Sequence, residues 1–252
     1  MRASGHKLEW EGGSLIRLPE PGATFGPDFF PDARGHEIPA AIKLAVQPFV
    51  LLRPGRAPLL IDTGYGTSRG AEFSHVLANL AAAGVGEEDV GQVFLTHLHG
   101  DHCAGLTKGA FPNAQIFLTG VEQQFWTGKD HPGGHLVAAE AHRLTLVSEG
   151  DIIAPGVRVV SLPGHTPGHA GLVIDDQILM IADVVHVAPL QIEDPDLVPK
   201  FDFDPGLAAQ TRRKTLDWIG AKGLVFCGAH FTGTSPYFRL KPAGTGWQMV
   251  DA

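Results

Sequence analysis

Apolar positions along the chain fall into two kinds of pattern. Short apolar runs at residues 47–52, 57–61 and 93–95 predict buried strands, and residues 53–56 between the first two predict a hairpin turn. A helix beginning near residue 69 is predicted by apolar residues spaced at i, i+3, i+4 and i+7, namely Phe73, Val76, Leu77 and Leu80. Strands and helices that alternate in this way indicate the α/β class.

The second half of the chain repeats this order without a detectable sequence repeat. Its predicted elements are a strand at 157–162, a hairpin at 170–181, a helix from Asp204 to about Ile219, a strand at 224–226 and a final hairpin at 237–250. We therefore expect one domain over residues 1–252, with sheets inside and helices outside. Residues 1–45 are expected to be an irregular segment that packs on it, because Pro19, Pro21, Pro27, Pro31 and Pro39 interrupt any long element.

Composition narrows the class of protein. Of 252 residues, 44% are hydrophobic, yet no run approaches the roughly 18 apolar residues of a membrane span. The first ten residues lack the apolar stretch of a secretory signal, so a cytoplasmic location is expected. A net charge of -8 and the lack of a basic cluster argue against a nucleic-acid partner. Cys103 and Cys227 predict small buried thiols and no disulfide framework.

The strongest chemical signal is the motif His97-x-His99-x-Asp101-His102, directly after the strand at 93–95. Histidines two positions apart on an extended segment point to the same side. Neutral imidazole suits zinc, and a carboxylate supplies a charged oxygen ligand. Asp101 and His102, on the turn that follows, can reach a second ion a few ångströms away.

Further ligand-type residues follow later strands: His165 after 157–162, Asp183 after the hairpin, and His230 after 224–226. With the motif, they give the chain a resemblance to the metallo-β-lactamase superfamily over about residues 45–250. The resemblance implies a four-layer αββα sandwich that holds two divalent metal ions, zinc first, with manganese, iron or cobalt as alternatives. It assigns the ligands as follows: His97, His99 and His165 to one ion, Asp101, His102 and His230 to the other, and Asp183 as the bridge.

The resemblance also implies a mechanism. Two ions about 3.5–4 Å apart share a hydroxide that attacks the substrate, while one ion polarises the C=O or P=O bond. Asp183 sets the spacing of the ions, and Asp101 is a candidate proton acceptor. Asp62 is expected to orient a ligand histidine; capping of its own turn is the alternative. His169 could replace His165 as a ligand, but the family order favours His165.

A substrate pocket is harder to predict. Trp126, Phe25 and Phe29 are candidates for an apolar wall, and His186 for a polar contact. Core packing is the alternative for Trp126, a dimer contact for the two phenylalanines, and ordinary packing for His186.

Three stretches resemble the methyl parathion hydrolase and N-acyl-homoserine lactonase group: Asp62-Thr63-Gly64, Gln123-Gln124-Phe125-Trp126, and the segment from Val184 through Asp194-Pro195. This implies a cytoplasmic zinc-dependent hydrolase that acts on a small-molecule substrate, a lactone or ester, with phosphotriesters as a further class and a homodimer as an open expectation. No Tyr follows soon after Asp183, as it does in some lactonases. The alternatives are a glyoxalase II-like thioesterase and a non-hydrolytic, mono-iron persulfide dioxygenase-like protein.

Overall fold

Two large sheets organise the described residues, one in each of two units. The computed structural model describes residues 1–106, 109–244 and 246–252. The first unit comprises Met1–Pro21 and Val46–Ser148, and the second comprises Gly22–Ala45 and Glu149–Ala252. The expectation of a single domain over residues 1–252 stays a prediction.

Short strands and helices follow one another along the chain. The strands are β1 (Arg2–Ser4), β2 (Lys7–Trp10), β3 (Gly13–Arg17), β4 (Glu20–Phe25), β5 (Ile42–Val46), β6 (Phe49–Leu52), β7 (Leu59–Ile61), β8 (Gln92–Phe94), β9 (Gln115–Thr119), β10 (Leu144–Val147), β11 (Ile152–Ala154), β12 (Val157–Ser161), β13 (Ala170–Ile174), β14 (Ile178–Ala182), β15 (Val225–Gly228), β16 (Phe238–Ala243) and β17 (Gly246–Asp251). The helices are α1 (Val76–Ala82), α2 (Gly100–Cys103), α3 (Gly120–Trp126), α4 (Pro132–Glu140), α5 (Ala188–Glu193) and α6 (Pro205–Lys222).

The sheet of the first unit has eight strands in the order β1-β2-β3-β6-β7-β8-β9-β10. Strands β7 and β8 are parallel, and Ile61 pairs with Phe94 at their carboxyl ends. Residues that follow these two strands therefore leave the sheet side by side. The apolar core beneath them includes Leu60 and Val93, both with no exposed surface. This packing makes the strand ends a fixed platform for the polar residues that come next.

The sheet of the second unit runs in sequence order from β11 to β17. Its parallel pair is β14 and β15, and Ala182 pairs with Gly228 at their ends. Asp183 and His230 therefore leave the same edge of the sheet. His165 lies in the connection between the antiparallel strands β12 and β13. Helix α6 begins where predicted, with the Asp204 carboxylate accepting the N–H of Leu207 as its N-cap and Pro205 in its first turn.

The prediction that residues 1–45 are irregular is wrong. Strands β1 to β3 join the first sheet as a meander, and β4 pairs with β5. No proline precedes residue 19, so none interrupts the first three strands. Pro21 lies within β4, which belongs to a two-stranded sheet where a missing N–H is tolerated at an edge. Strands of three to five residues are too short for their alternation to stand out in the sequence.

Two helix predictions also need correction. The helix expected near residue 69 begins at Val76, after a 3-10 turn at Ala71–Phe73, and Leu77 is 46% exposed. Residues 127–136 are rich in Gly, Pro and His, a composition that predicts a loop. The structure instead forms helix α4 there, in which Pro132 stands in the first turn and His131 accepts the Gly133 N–H as N-cap. Among the described residues, no helix is long and apolar enough to cross a membrane.

Candidate metal centre

The ligand cluster of the first unit is built where β8 passes into α2. His99 has extended backbone, with φ -68° and ψ 152°, and α2 begins at the next residue. His97 and His99 therefore lie on extended chain, whereas Asp101 and His102 lie on the first turn of a helix. His97 and His102 are buried. The change from strand to helix within six residues brings all four side chains to one place.

The donor atoms of this cluster have spacings suited to a metal. Nε2 of His97 lies 3.0 Å from Nδ1 of His99. Two nitrogen ligands of a tetrahedral zinc ion are about 3.3 Å apart, given bonds of about 2.0–2.1 Å. Nε2 of His102 lies 3.8 Å from Oδ2 of Asp101. Each pair offers lone pairs to a common point, as two ligands of one ion do.

Asp62 holds one of these imidazoles from behind. Its Oδ2 lies 2.8 Å from Nδ1 of His102, which leaves Nε2 of that ring for a metal. The same carboxylate accepts the N–H of Thr96 at 2.8 Å and the Thr96 hydroxyl at 2.9 Å. Asp62 thus stabilises the turn after β8 and contacts a candidate ligand histidine, His102. The hydrogen bonds of its carboxylate go to Thr96 and His102 rather than to its own turn, as the first expectation for Asp62 requires.

The ligand cluster of the second unit surrounds one carboxylate oxygen. Oδ2 of Asp183 lies 2.9 Å from Nε2 of His230, 3.2 Å from Nε2 of His165 and 3.2 Å from Nε2 of His186. All four side chains are buried. The imidazole nitrogens of this cluster therefore converge on the Asp183 carboxylate.

The other ring nitrogens of two of these histidines are held by the chain. Nδ1 of His165 lies 2.8 Å from Oδ1 of Asp202, and Nδ1 of His230 lies 2.7 Å from the carbonyl oxygen of Ala45. Hydrogen bonds of this kind fix the tautomer and orientation of metal-binding imidazoles. Nδ1 of His186 has no hydrogen-bond partner within the part of the chain that the structure describes.

Electrostatics differ sharply between neighbouring histidines. Burial alone would lower the pKa of His165, but the hydrogen bonds and charges of Asp183 and Asp202 raise it to about 9. Burial lowers the pKa of His186 to about 4, despite the charge of Asp183, and the charges of His165 and His230 act in the same direction as burial. His165 is thus the strongly basic imidazole of this cluster and His186 is a neutral one.

Both clusters fit divalent metal ions of the zinc type. Their donors are imidazole nitrogens and carboxylate oxygens, the ligands that zinc prefers besides thiolate. Within the second unit, Asp183, His186 and His230 offer ligand atoms within 4.8 Å of one another. A buried carboxylate is costly unless a cation compensates it, and a divalent ion could take the place of the proton that His165 otherwise holds beside Asp183. The donor atoms of each cluster are therefore chemically suited to a divalent metal ion.

Comparison with known proteins agrees with this geometry. A family model described as the metallo-beta-lactamase superfamily matches residues 45–230. The chain belongs to the metallo-β-lactamase superfamily. The predicted resemblance and the α/β fold class are confirmed.

Similar members of the superfamily are lactonases and hydrolases. The chain is 26% identical to an N-acyl homoserine lactonase of Bacillus thuringiensis over 203 residues, which covers 71% of this chain and 78% of the relative. A solved structure of AidC, a dizinc quorum-quenching lactonase in complex with a product, has a TM-score of 0.87 at 21% identity, covering 98% of this chain and 96% of that one. The hydrolase AbOPH has a TM-score of 0.86 at 24% identity, covering 100% and 99%.

Two buried acidic residues, Glu122 and Asp202, contact the candidate ligand segments but were not predicted from the sequence. Glu122 has no exposed surface, and its Oε1 accepts the N–H of Leu98 at 3.0 Å and the Nε1–H of Trp126 at 2.6 Å. Leu98 stands between two candidate ligand histidines, so Glu122 fixes the segment that carries them. The signal was present in Thr119-x-x-Glu122, because this spacing is typical of a helix N-terminus, and Thr119 does accept the Glu122 N–H. No comparable sequence pattern surrounds Asp202, so its role could not be predicted from the sequence.

The candidate pocket residues lie in different surroundings. Trp126 belongs to the core of the first unit, yet its ring centroid is 5.6 Å from that of His99 and 4.1 Å from that of His131, on which it stacks. In the second unit, Phe29 is buried and its ring lies 5.9 Å from that of His186. The half-buried Phe25 lies 5.3 Å from Phe29. Aromatic rings therefore contact candidate ligand residues in both units.

The remaining candidates are structural. His169 accepts the N–H of Asp183 through Nε2 at 3.1 Å and faces the Leu162 carbonyl through Nδ1 at 2.9 Å. Both ring nitrogens are thus engaged, and His169 orients the backbone of Asp183. Cys103 and Cys227 are free and buried, as predicted, and burial raises the pKa of both thiols.

Proposed function

We propose that the chain is a dinuclear metal-dependent hydrolase that opens lactones and cleaves related esters. One observation carries this proposal: the complete family set of seven ligand-type residues stands in a chain whose similar relatives are named N-acyl homoserine lactonases over 71% of its length. The donor spacings within each unit support it. AidC, whose fold is similar, is described as a dizinc lactonase.

The ligand assignment follows the order of the family. We assign His97, His99 and His165 to one ion. Asp101, His102 and His230 are assigned to the other, and Asp183 bridges the two. Zinc is the metal that the donor set favours, since imidazole and carboxylate are its usual ligands.

Two such ions would supply a water molecule of lowered pKa and would polarise the substrate carbonyl. The chain's own residues then orient the substrate and move the proton. Asp101 keeps a side chain that is 22% exposed, so one of its carboxylate oxygens can accept a proton from a substrate group. His186 is neutral and faces the Asp183 carboxylate through Nε2, so we assign it the role of holding that carboxylate in place.

Aromatic side chains beside His186 favour substrates that carry an apolar group. Phe25, Phe29 and Phe201 form one cluster, in which Phe201 lies 5.4 Å from Phe25 and 5.8 Å from Phe29. Phe29 is buried, whereas Phe201 is 43% exposed and can contact a ligand. An acyl chain or an aryl group suits such a surface. Trp126 would play the same part in the first unit.

A small substrate panel tests this proposal. Purified protein loaded with zinc is offered N-hexanoyl homoserine lactone, an aryl ester, a phosphotriester and S-lactoylglutathione, with a chelator-treated sample as control. We expect chelator-sensitive hydrolysis of the lactone or the aryl ester, and phosphotriester cleavage as a side activity. Turnover of the thioester alone would instead support a glyoxalase II-like enzyme. Bound iron, oxygen uptake and no hydrolysis would support a persulfide dioxygenase-like protein.

The Asp183→Asn variant tests the bridging carboxylate. Loss of a residue that hydrogen-bonds to a metal ligand commonly lowers metal affinity or activity by about 10–100-fold. Loss of a bridging ligand itself should therefore lower kcat/KM by more than about 100-fold. Asp176→Asn is the matched control, because Asp176 lies on the same hairpin with a side chain 86% exposed. If Asp183→Asn kept the kcat/KM of Asp176→Asn, the proposed centre would be wrong.

Cellular location and assembly stay predictions. We propose a cytoplasmic enzyme, as the sequence indicated, that forms a homodimer. Analytical ultracentrifugation at several protein concentrations decides the second point, since a single species with the mass of one chain would contradict it.

A further inference from the structure

A buried ion pair lies behind the ligands of the second unit. Nη2 of Arg212 is 3.2 Å from Oδ2 of Asp202, and both side chains have no exposed surface. Removing two charges from water is costly, and such pairs are often replaced by apolar residues without loss of stability. Stability alone is therefore a weak reason for this pair, and its contacts indicate another role.

Asp202 contacts a candidate ligand directly. While Oδ2 faces Arg212, Oδ1 lies 2.8 Å from Nδ1 of His165. A carboxylate in this position selects the tautomer that carries its proton on Nδ1, so the lone pair of Nε2 is directed away from Asp202. Nε2 lies 3.2 Å from Oδ2 of Asp183, on the side where the ligands gather.

Arg212 connects this carboxylate to the backbone of a second candidate ligand. Its Nε–H donates to the carbonyl of Val184 at 2.6 Å, and Val184 directly follows Asp183. Its Nη1 donates to the carbonyls of Pro195 at 2.8 Å and Leu197 at 3.2 Å. One planar guanidinium group thus holds Asp202 and the chain beside Asp183 in fixed relation.

Backbone hydrogen bonds keep the segment of Asp202 in register with the loop of His165. The N–H of Phe203 donates to the carbonyl of His165 at 3.1 Å, and the N–H of Asp204 donates to the carbonyl of Gly164 at 2.9 Å. Asp202 directly precedes these two donors, so the main chain as well as Arg212 holds its side chain beside the His165 ring.

We infer that Asp202 is a positioning residue for His165, and that Arg212 positions both Asp202 and the backbone at Asp183. The pair thereby sets the affinity of this ligand cluster for its metal ion. The inference rests on the proposed function only in taking His165 and Asp183 as metal ligands. Neither Asp202 nor Arg212 touches the reacting atoms.

Metal affinity is the readout that separates positioning from a purely structural role. The full-length chain is stripped and titrated with zinc in competition with a chromophoric chelator. We expect Asp202→Asn, which keeps the size of the side chain, to weaken at least one zinc equivalent by about 10–100-fold. Arg212→Lys keeps the charge but loses the forked geometry, so a smaller loss in the same direction is expected.

Glu140→Gln is the matched control. Glu140 is 3% exposed and pairs with Arg143, whose Nε lies 2.6 Å from Oε2 of Glu140. Among the described residues, the other partners of Arg143 are the carbonyls of Ala110 and Phe111, and no candidate ligand histidine bonds to the pair. This variant should lower the melting temperature and leave both zinc affinities within about twofold of wild type. A folded Asp202→Asn protein with wild-type zinc affinities would overturn the inference, and so would an equal loss of affinity in Glu140→Gln.

If Asp202→Asn fails to fold, the folded Arg212→Lys variant decides the question by the same titration, and unchanged affinity there overturns the inference. The two proposals fail separately. A wild-type chain that binds two zinc ions and hydrolyses nothing in the panel defeats the proposed function alone. A wild-type lactonase whose Asp202 variant binds zinc normally defeats only this inference.

Discussion

At the scale of single residues, the proposed role of His165 as a metal ligand makes metal binding dependent on pH. Its pKa of about 9 means that the ring carries a proton at neutral pH unless a metal displaces it. Metal ions bind neutral imidazole, so binding must release this proton. His186, with a pKa of about 4, has already lost its proton in the same range.

The stability of chelator-treated protein should therefore peak near pH 6.5. The pKa of His165 is raised, so its contribution is fully present below the unfolded value of about 6.5 and is lost as the pH rises through about 9. The pKa of His186 is lowered, so the unfolded chain takes up a proton that the folded chain does not, and stability falls as the pH drops from about 6.5 through about 4.

Urea unfolding from pH 5 to 9 measures both effects. His165→Gln should remove the loss of stability on the alkaline side. It should keep a smaller loss on the acidic side, because burial still lowers the pKa of His186 but the charge of His165 no longer adds to that effect. An alkaline decline of the same size in His165→Gln would show that another group causes it.

Glu122 is a second residue with a measurable role. Glu122→Ala leaves the N–H of Leu98 and the Nε1–H of Trp126 buried without their acceptor, and each such group costs about 1–3 kcal/mol. We expect the free energy of unfolding to fall by about 3 kcal/mol, with a weaker effect for Glu122→Gln, which keeps an acceptor oxygen. The exposed Glu88→Ala is the control. Equal unfolding free energies for Glu122→Ala and Glu88→Ala would contradict this account.

At the scale of elements, the way a connecting loop packs on α6 decides where His165 lies. Gly164 has φ +130°, and a Cβ there would come within 2.4 Å of the Cα of Ala208 on α6. Only glycine allows this close approach of loop and helix. At the other end of α6, Gly223 has φ +61° but open space around it.

This difference predicts unequal effects of the same substitution. Gly223→Ala should cost about 1 kcal/mol, the strain of a left-handed residue, and leave zinc affinity unchanged. Gly164→Ala must also displace the His165 loop from α6, so it should destabilise the chain more and weaken zinc binding. Urea unfolding and chelator competition on both variants check this. Similar values for both would show that the contact at Ala208 does not position the loop.

Strands could be predicted from the sequence where an apolar run is followed by a ligand-type residue. Examples are β8, which precedes His97, and β15, which precedes His230. Prediction failed for short strands and for contacts between distant segments. The strands before residue 18 are too brief to show alternation, and α4 lies in a stretch rich in Gly and Pro. Asp202 stands 37 positions from His165, and only the folded chain brings them together.

At the scale of the whole molecule, the net charge is -8, and similar relatives of the chain are named N-acyl homoserine lactonases. Membership of the superfamily fixes the fold and leaves the substrate to the residues around the metals. The central claim is therefore that two metal ions act together on a lactone or ester.

The most direct test is to add zinc stepwise to the stripped protein while following turnover of N-hexanoyl homoserine lactone and of the aryl ester, with bound metal measured in each sample. We predict that hydrolysis of at least one of these substrates rises until two zinc ions are bound per chain and then stays constant. The same titration of Asp183→Asn should give turnover lower by more than about 100-fold. Full activity with one ion, or activity that does not depend on metal, would contradict the account.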